Sequence, residues 1–347
     1  MSDKSLQFSA PAMFKRVKPK TVSLPKEDVV KSSPLRYDRG LPLVIEPRIE
    51  GIDLIDWAAG SRPLIEEKLL KHGAILFRGF DVASVDAFER FASSLCPNLF
   101  NENGEHVRDS ISDKVYTPVF YPPDKQVLWH NENSFNQTWP RKIWFGCLKP
   151  ADRGGETPIA DSRKVFELIE PAIRERFIEK KVMYVRNYGT GLGLDWRTVF
   201  RVATRAEAEE RCRAAAMELE WLDGDRLQTW SVRPAVVKHP ITSEMTWFNQ
   251  AQHWHVSCLD PGTRESLKIL FTNEKDYPRN CYFGDGSRID DSIMQEILAV
   301  YAELEVAFQW QRGDILMLDN LLTAHGRNAF AGERKLLVSM AEMLGYD

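Results

Sequence analysis

The chain has 347 residues, 43% hydrophobic and 28% charged, which is enough ordinary soluble chain to bury a large core. Its formal net charge of −4 argues against nucleic acid as the main partner, and no apolar run approaches the length of a bilayer span. Five scattered cysteines without a Cys-x-x-Cys pair, and a start without a signal-peptide apolar stretch, place the expected location in the reducing cytoplasm.

Residues 1–40 are rich in Lys, Pro and Ser, so an irregular solvated arm is expected there. From residue 41 the pattern is that of one folded domain running to residue 347. A helix over 63–72 is stopped by Gly73, where a left-handed residue is favoured. The run Ala74-Ile75-Leu76-Phe77 reads as a buried strand. Ser84 can cap a helix whose apolar stripe includes Phe88, Phe91 and Leu95. A strand is expected near 115–121.

A helical insert is expected over about 162–225, with helices at 162–181 and 206–219, the second capped by Thr204. Between them a strand over 184–188 runs into a loop containing Gly189, Gly191 and Gly193. That loop has no strand–GxGxxG–helix frame and reads as a lid, not a phosphate cradle. Strands follow at 230–237 and 246–249, a helix at 291–303, and strand-like runs at 308–310, 314–318 and 335–343. Strands at both ends of the core framing helical insertions suit a mainly β sandwich or barrel, not a doubly wound parallel sheet.

The chemistry centres on residues 128–161. If His130-Asn131-Glu132 is a strand, His130 and Glu132 project to one face while Trp129 and Asn131 project to the other. His325, just after the apolar run ending at Leu318, is a candidate third ligand. Two imidazoles and one carboxylate on one side of an ion leave its other side open, the arrangement of non-haem Fe(II) oxygenases. Spacing alone does not settle this, because a lone histidine is commonly a satisfied core or surface residue. His253 and His255 could form a rival pair, although packing is the simpler role.

These residues stand in a wider pattern: Ile75-Leu76-Phe77-Arg78-Gly79-Phe80, His130-x-Glu132, Gly154-Gly155-Glu156-Thr157-Pro158-Ile159-Ala160-Asp161, Trp247-Phe248-Asn249-Gln250, and His325 with Arg334. Over about 40–345 the chain resembles the taurine dioxygenase and clavaminate-synthase-like superfamily of Fe(II)/2-oxoglutarate dioxygenases. The resemblance implies a double-stranded β-helix (jelly roll) and carries over His130, Glu132 and His325 as iron ligands. It implies Fe(II), 2-oxoglutarate and O2 as cofactor and co-substrates. It also implies that Thr157 and Arg334 hold the far carboxylate of 2-oxoglutarate, with Arg327 as the rival arginine. A guanidinium fork and a hydroxyl suit that task.

Two departures bear on the substrate. The carboxylate ligand is Glu132, not aspartate, and Val338 stands where taurine dioxygenase has its sulfonate-gripping arginine. Residues 140–161, 188–200 and 233–252 are similar to aspartate β-hydroxylase-like enzymes of nonribosomal peptide biosynthesis. That subgroup implies hydroxylation of an unactivated C–H bond in an amino acid or amino-acid-derived substrate, free or tethered to a peptidyl carrier protein. Asn131, Asn249, Gln250 and Arg327 are candidate substrate contacts, and Arg141 and Lys142 candidate pocket residues. Halogenation is disfavoured, because a halide would need the position of Glu132. Desaturation or cyclisation by the same chemistry, and a non-catalytic β-helix binding protein, stay open alternatives.

Overall fold

In the computed structural model, residues 28–100, 111–112, 114–118 and 121–346 are described. The core is built on a six-stranded sheet in the order Val30–Pro34, Leu43–Pro47, Ala74–Phe77, Ile315–Asp319, Thr138–Lys149, Lys335–Gly345. All neighbours are antiparallel except Leu43–Pro47 with Ala74–Phe77. Both faces are apolar, and the period of two sorts the side chains between them. Ile75, Phe77, Trp144 and Met317 pack outward against the helices Leu54–Gly60, Arg62–His72 and Val85–Leu95. Leu76, Ile143, Phe145, Leu316 and Val338 point the other way, into a second cluster that includes Ile159.

Ile159 belongs to a three-stranded antiparallel sheet, in the order Val127–His130, Thr323–Arg327, Ile159–Asp161. The same alternation acts here. Trp129, Ala160 and Ala324 face away, into a cluster shared with the helix Asp291–Leu304 and the sheet of Arg279–Phe283, Val182–Tyr188, Arg226–Arg233 and Glu218–Leu222. Trp129 stacks on Tyr301 with ring centroids 5.6 Å apart. The residues one step along these strands, His130, Ile159 and His325, therefore face the gap between the two sheets.

Local signals account for several elements. Gly73 ends the helix Arg62–His72 at φ 74°, its N–H donating to Leu69 O, a conformation that glycine enters without a Cβ penalty. Ser84 Oγ accepts from Ala87 N at the start of Val85–Leu95. Thr204 and Glu207 form a capping box.

Other expectations need correction. The irregular arm does not extend to residue 40: Val30–Pro34 pairs with Leu43–Pro47, and Val30 is buried. Residues 1–27 lie outside the described residues. The expected helix over 162–181 is two, Ser162–Leu168 and Pro171–Lys180, because Pro171 has no N–H to donate and restricts the residue before it. The helix after Thr204 is Arg205–Ala214, and Glu218–Leu222 is a strand, so the insert mixes helix and sheet. The expected strand over 230–237 is interrupted at Pro234-Ala235, and Val236–Lys238 pairs instead with Met245–Trp247. Near 115–121 the described residues form one bridge, Tyr116 with Val338, and residues 119–120 lie outside them. Residues 308–310 form no strand.

Candidate metal centre

His130 is the last residue of its strand, and it is paired in register with His325 on the neighbouring strand. Their rings lie 4.4 Å apart, centroid to centroid. Gly326 follows His325 where the register shifts, and a Cβ there would meet Val127 O at 2.7 Å. The close approach of the two strands thus depends on that glycine. Glu132 does not continue the strand as the alternation argument assumed; it lies in the turn that follows. The turn returns its carboxylate to the same place. Glu132 Oε2 is 3.7 Å from His130 Nε2 and 3.8 Å from His325 Nε2.

Those separations are too long for hydrogen bonds, but two bonds of about 2.0–2.2 Å to a common ion span them. One ligand atom from each of the three residues lies within 4.8 Å of the others. His130 Nδ1 lies 2.9 Å from Leu128 O. A carbonyl can only accept, so Nδ1 carries the proton and Nε2 keeps its lone pair for a metal. The Phe145 ring packs 5.0 Å from His325, walling the inner side with hydrocarbon. Two neutral imidazoles and a carboxylate, with no thiolate, form a donor set suited to Fe(II).

The backbone that carries these donors is held by side chains from distant segments. His253 Nε2 donates to Leu128 O at 2.7 Å, Gln252 Nε2 to Trp129 O, and Gln250 Nε2 to Asn131 O at 2.9 Å. Asn320 grips Glu132 at both peptide groups: Oδ1 accepts from Glu132 N at 2.7 Å and Nδ2 donates to Glu132 O at 3.0 Å. Val127–His130 is an edge strand of its sheet, so these amides and the imidazole occupy acceptors that a further strand would otherwise meet. Replacing Asn320 with alanine is expected to weaken Fe(II) binding about 10–100-fold, the usual cost of losing an outer-sphere partner. Anaerobic metal titration checks this, and an unchanged affinity would remove Asn320 from the positioning set.

Three amides expected to contact substrate turn out to serve the protein's own backbone. Asn131 is fully buried, its Nδ2 donating to Ser162 Oγ and Asn320 O. Asn249 donates to Ala235 O and accepts from Ala251 N. Gln250 holds Asn131 O, as above. His253 and His255 do not converge as a rival metal pair. They flank the end of the short helix Ala251–Trp254, and His255 Nε2 meets Ile289 O at 3.0 Å. His253 instead packs its ring on that of His130, centroids 4.5 Å apart. Burial holds His253 well below the usual imidazole range, so it stays neutral. Arg141 and Lys142, themselves buried, lie away from the site and form ion pairs with the partly exposed Glu66 and Glu342.

The two candidate arginines differ in their surroundings. The Nη atoms of Arg327 donate to Tyr121 O, Pro122 O and Lys125 O, so its fork is spent on a loop. Arg334 donates through Nε to Gly155 O at 2.9 Å. No described carboxylate lies within ion-pair distance of it, and burial, with the charge of Arg327 second, pushes its pKa down to about 10. Thr157, buried two residues beyond Gly155, accepts from Trp310 Nε1 at 3.2 Å. The Gly154-Gly155 turn therefore brings a hydroxyl and a desolvated guanidinium to the same region.

The contributions of Asn320 and Gln252 were not anticipated from sequence. Both act on backbone more than 100 residues away in the chain. The one local hint was the Asp319-Asn320 pair directly after a buried strand.

Comparison with known proteins gives concordant findings. The family described as "Taurine catabolism dioxygenase TauD, TfdA family" matches residues 35–340. The dapdiamide synthesis protein DdaC of Enterobacter agglomerans is 36% identical over 279 residues, 80% of this chain and 84% of that one. A clavaminate synthase-like protein of Arabidopsis thaliana is 31% identical over 330 residues, 87% and 93% of the two chains. Among solved structures, PvcB, described as an Fe, alpha-ketoglutarate dependent oxygenase from an isonitrile synthetic pathway, is 18% identical. It has a TM-score of 0.51 and coverage of 92% and 93%. AAD-2 in complex with Mn(II) and N-oxalylglycine is 14% identical, with a TM-score of 0.53 and coverage of 92% and 98%. At these identities the two structures speak for the fold.

Proposed function

The chain belongs to the TauD, TfdA family of Fe/2-oxoglutarate-dependent dioxygenases, and from that membership we propose that it hydroxylates an unactivated C–H bond of an amino-acid-like substrate in specialised metabolism. The convergence of His130, Glu132 and His325 on one point carries this reading, and those three are its iron ligands. The bound ion supplies the oxidising chemistry: one O2 converts 2-oxoglutarate to succinate and CO2 and delivers the second oxygen atom to the substrate carbon.

The chain's own residues do the positioning. Arg334 and Thr157 hold the far carboxylate of 2-oxoglutarate, the guanidinium through its free Nη edge and the hydroxyl as a further donor. Asn320, Gln252 and His253 fix the ligand-bearing backbone, so the donors need no reorganisation when substrate arrives. Phe145 and its apolar neighbours keep bulk water from the inner wall.

Other features fit the same reading. The six- and three-stranded sheets enclosing the site suit the two faces of a double-stranded β-helix in one domain that takes in the Val30–Pro34 strand. Val338, in the apolar layer between them, offers no grip for a sulfonate. The relative named for dapdiamide synthesis supports a biosynthetic role on an amino-acid-derived substrate, free or carrier-tethered. All five cysteines are free thiols, which suits the cytoplasm, and among the described residues no helix is long and apolar enough to cross a membrane.

A succinate-coupled screen of free and carrier-tethered amino acids, run with Fe(II), 2-oxoglutarate and air, tests the proposal. Substrate-stimulated succinate with an equal yield of a product 16 Da heavier is expected. Iron-loaded protein that forms no succinate, with or without substrate, would favour the non-catalytic binding protein. A product 2 Da lighter would favour desaturation or cyclisation.

A further inference from the structure

The connection between the helix Asp291–Leu304 and the strand Ile315–Asp319 forms no strand of its own, yet it runs along the segment that carries Thr157. Val306 and Ile159 exchange both backbone hydrogen bonds, at 2.8 and 2.9 Å. Gln309 Nε2 donates to Glu156 Oε1, and Trp310 Nε1 donates to Thr157 Oγ1 at 3.2 Å. Trp310 and Thr157 are both buried, and the indole sits in the apolar layer that holds Phe145 and Leu336.

Arg78 clamps this connection from the other side. Its Nε donates to Asp314 Oδ1 at 3.0 Å and its Nη2 to Asp314 Oδ2 at 2.6 Å. Nη2 also donates to Gln309 O at 2.9 Å. The guanidinium lies over the Phe308 ring, 5.6 Å from its centroid, and Phe308 meets Trp310 edge to face at 5.1 Å. Asp314 is buried, and its Oδ2 accepts again from Gln311 N at 2.8 Å. A bidentate guanidinium–carboxylate pair fixes orientation as well as distance. The indole N–H is thereby held on Thr157.

The sense of the Trp310–Thr157 bond follows from the groups that make it. An indole N–H can only donate, whereas a hydroxyl has one proton and two lone pairs. The bond therefore takes a lone pair of Thr157 and leaves the hydroxyl proton directed elsewhere. It is the one hydrogen bond of that side chain among the described residues. A buried hydroxyl proton without an acceptor is costly, and an arriving carboxylate supplies the acceptor. The guanidinium of Arg334 has no acceptor function either, so this end of the site offers donors only.

We propose that Trp310, clamped by Arg78 and Asp314, is a positioning residue for 2-oxoglutarate: it commits the Thr157 hydroxyl to donate to the far carboxylate. The inference rests on the dioxygenase reading and on Thr157 as a holder of that carboxylate. It also gives the Arg78–Asp314 pair a task in co-substrate binding, performed through the residues between them and Thr157.

The test measures equilibrium binding of 2-oxoglutarate to the anaerobic Fe(II) protein by visible absorbance, with 2-oxopentanoate as the probe that lacks the far carboxylate. Trp310→Phe keeps an aromatic ring and removes the N–H. It is expected to weaken 2-oxoglutarate binding about threefold to tenfold, the scale of one neutral hydrogen bond, and to leave 2-oxopentanoate within about twofold. In a Thr157→Val background the same substitution should add nothing, and in Thr157→Ser, which keeps the hydroxyl, its effect should return. Arg78→Lys, which keeps the charge and loses the fork, should weaken 2-oxoglutarate binding with the same dependence on Thr157; it carries the test should Trp310→Phe not fold. A merely structural tryptophan would weaken both keto acids alike and would do so in Thr157→Val as well. That pattern, or an undiminished 2-oxoglutarate affinity in the folded variant, would overturn the assignment. Unchanged affinity in Thr157→Val would remove the far carboxylate from Thr157 and the proposal with it. Failure of the wild-type protein to form the Fe(II)–2-oxoglutarate absorbance would instead overturn the dioxygenase reading beneath it.

Discussion

Glu132→Ala is expected to abolish succinate-forming turnover while leaving the fold intact. The carboxylate is the one anionic donor of the three, and both imidazole Nε2 atoms face the same oxygen, Oε2, at 3.7 and 3.8 Å. Without it, two neutral donors remain to hold a divalent ion. The loss should exceed the roughly 10–100-fold seen when an outer-sphere partner is removed. The fold should survive because the turn is secured through its backbone, by Asn320 at both Glu132 peptide groups. Far-ultraviolet circular dichroism and a melting curve should match the wild type, while anaerobic Fe(II) titration and succinate formation collapse. Substantial turnover in this variant would remove Glu132 from the ligand set.

Arg334→Ala should weaken 2-oxoglutarate binding by about 2–3 kcal/mol, or some 30–150-fold, the scale of a lost hydrogen-bonded charge partner. Arg334 is half-buried, has no described carboxylate in reach, and is tied by Nε to the turn that presents Thr157. A desolvated guanidinium in that state gains when an anion arrives. Arg327→Ala is the control. Its guanidinium already holds three loop carbonyls, so its loss should lower stability and leave 2-oxoglutarate affinity within a few fold. Titration of both variants under anaerobic conditions distinguishes them, and the reverse order of affinities would move the anchor to Arg327.

The legible part of the sequence was its local grammar. Gly73 and Ser84 announce helix ends because capping acts within one turn, and the apolar run 74–77 announces a strand because both of its faces are covered. His130, Glu132 and His325 could be picked out by residue type. How Glu132 reaches the other two was misread: alternation along a strand was assumed, and a turn does the work. Asn131, Asn249 and Gln250 illustrate a different difficulty. An amide that lines a cavity and an amide that satisfies a distant backbone carbonyl look alike in one dimension, and here the partners lie in other segments. The break before Pro171 was within reach of local rules; a continuous apolar spacing masked it.

The fastening of residues 128–132 by Gln250, Gln252, His253 and Asn320 means that the ordering entropy of the ligand segment is met when the polypeptide folds, not when an ion arrives. In this respect the protein is the opposite of a zinc finger, which collapses on demetallation. Dialysis against a chelator should yield an apoprotein of native spectrum that accepts ions back without a refolding lag. Such a rigid cradle discriminates poorly among divalent ions of similar size and donor preference. Redox-silent substitutes should therefore seat in it readily, which makes the resting complex with 2-oxoglutarate and substrate open to crystallography in air.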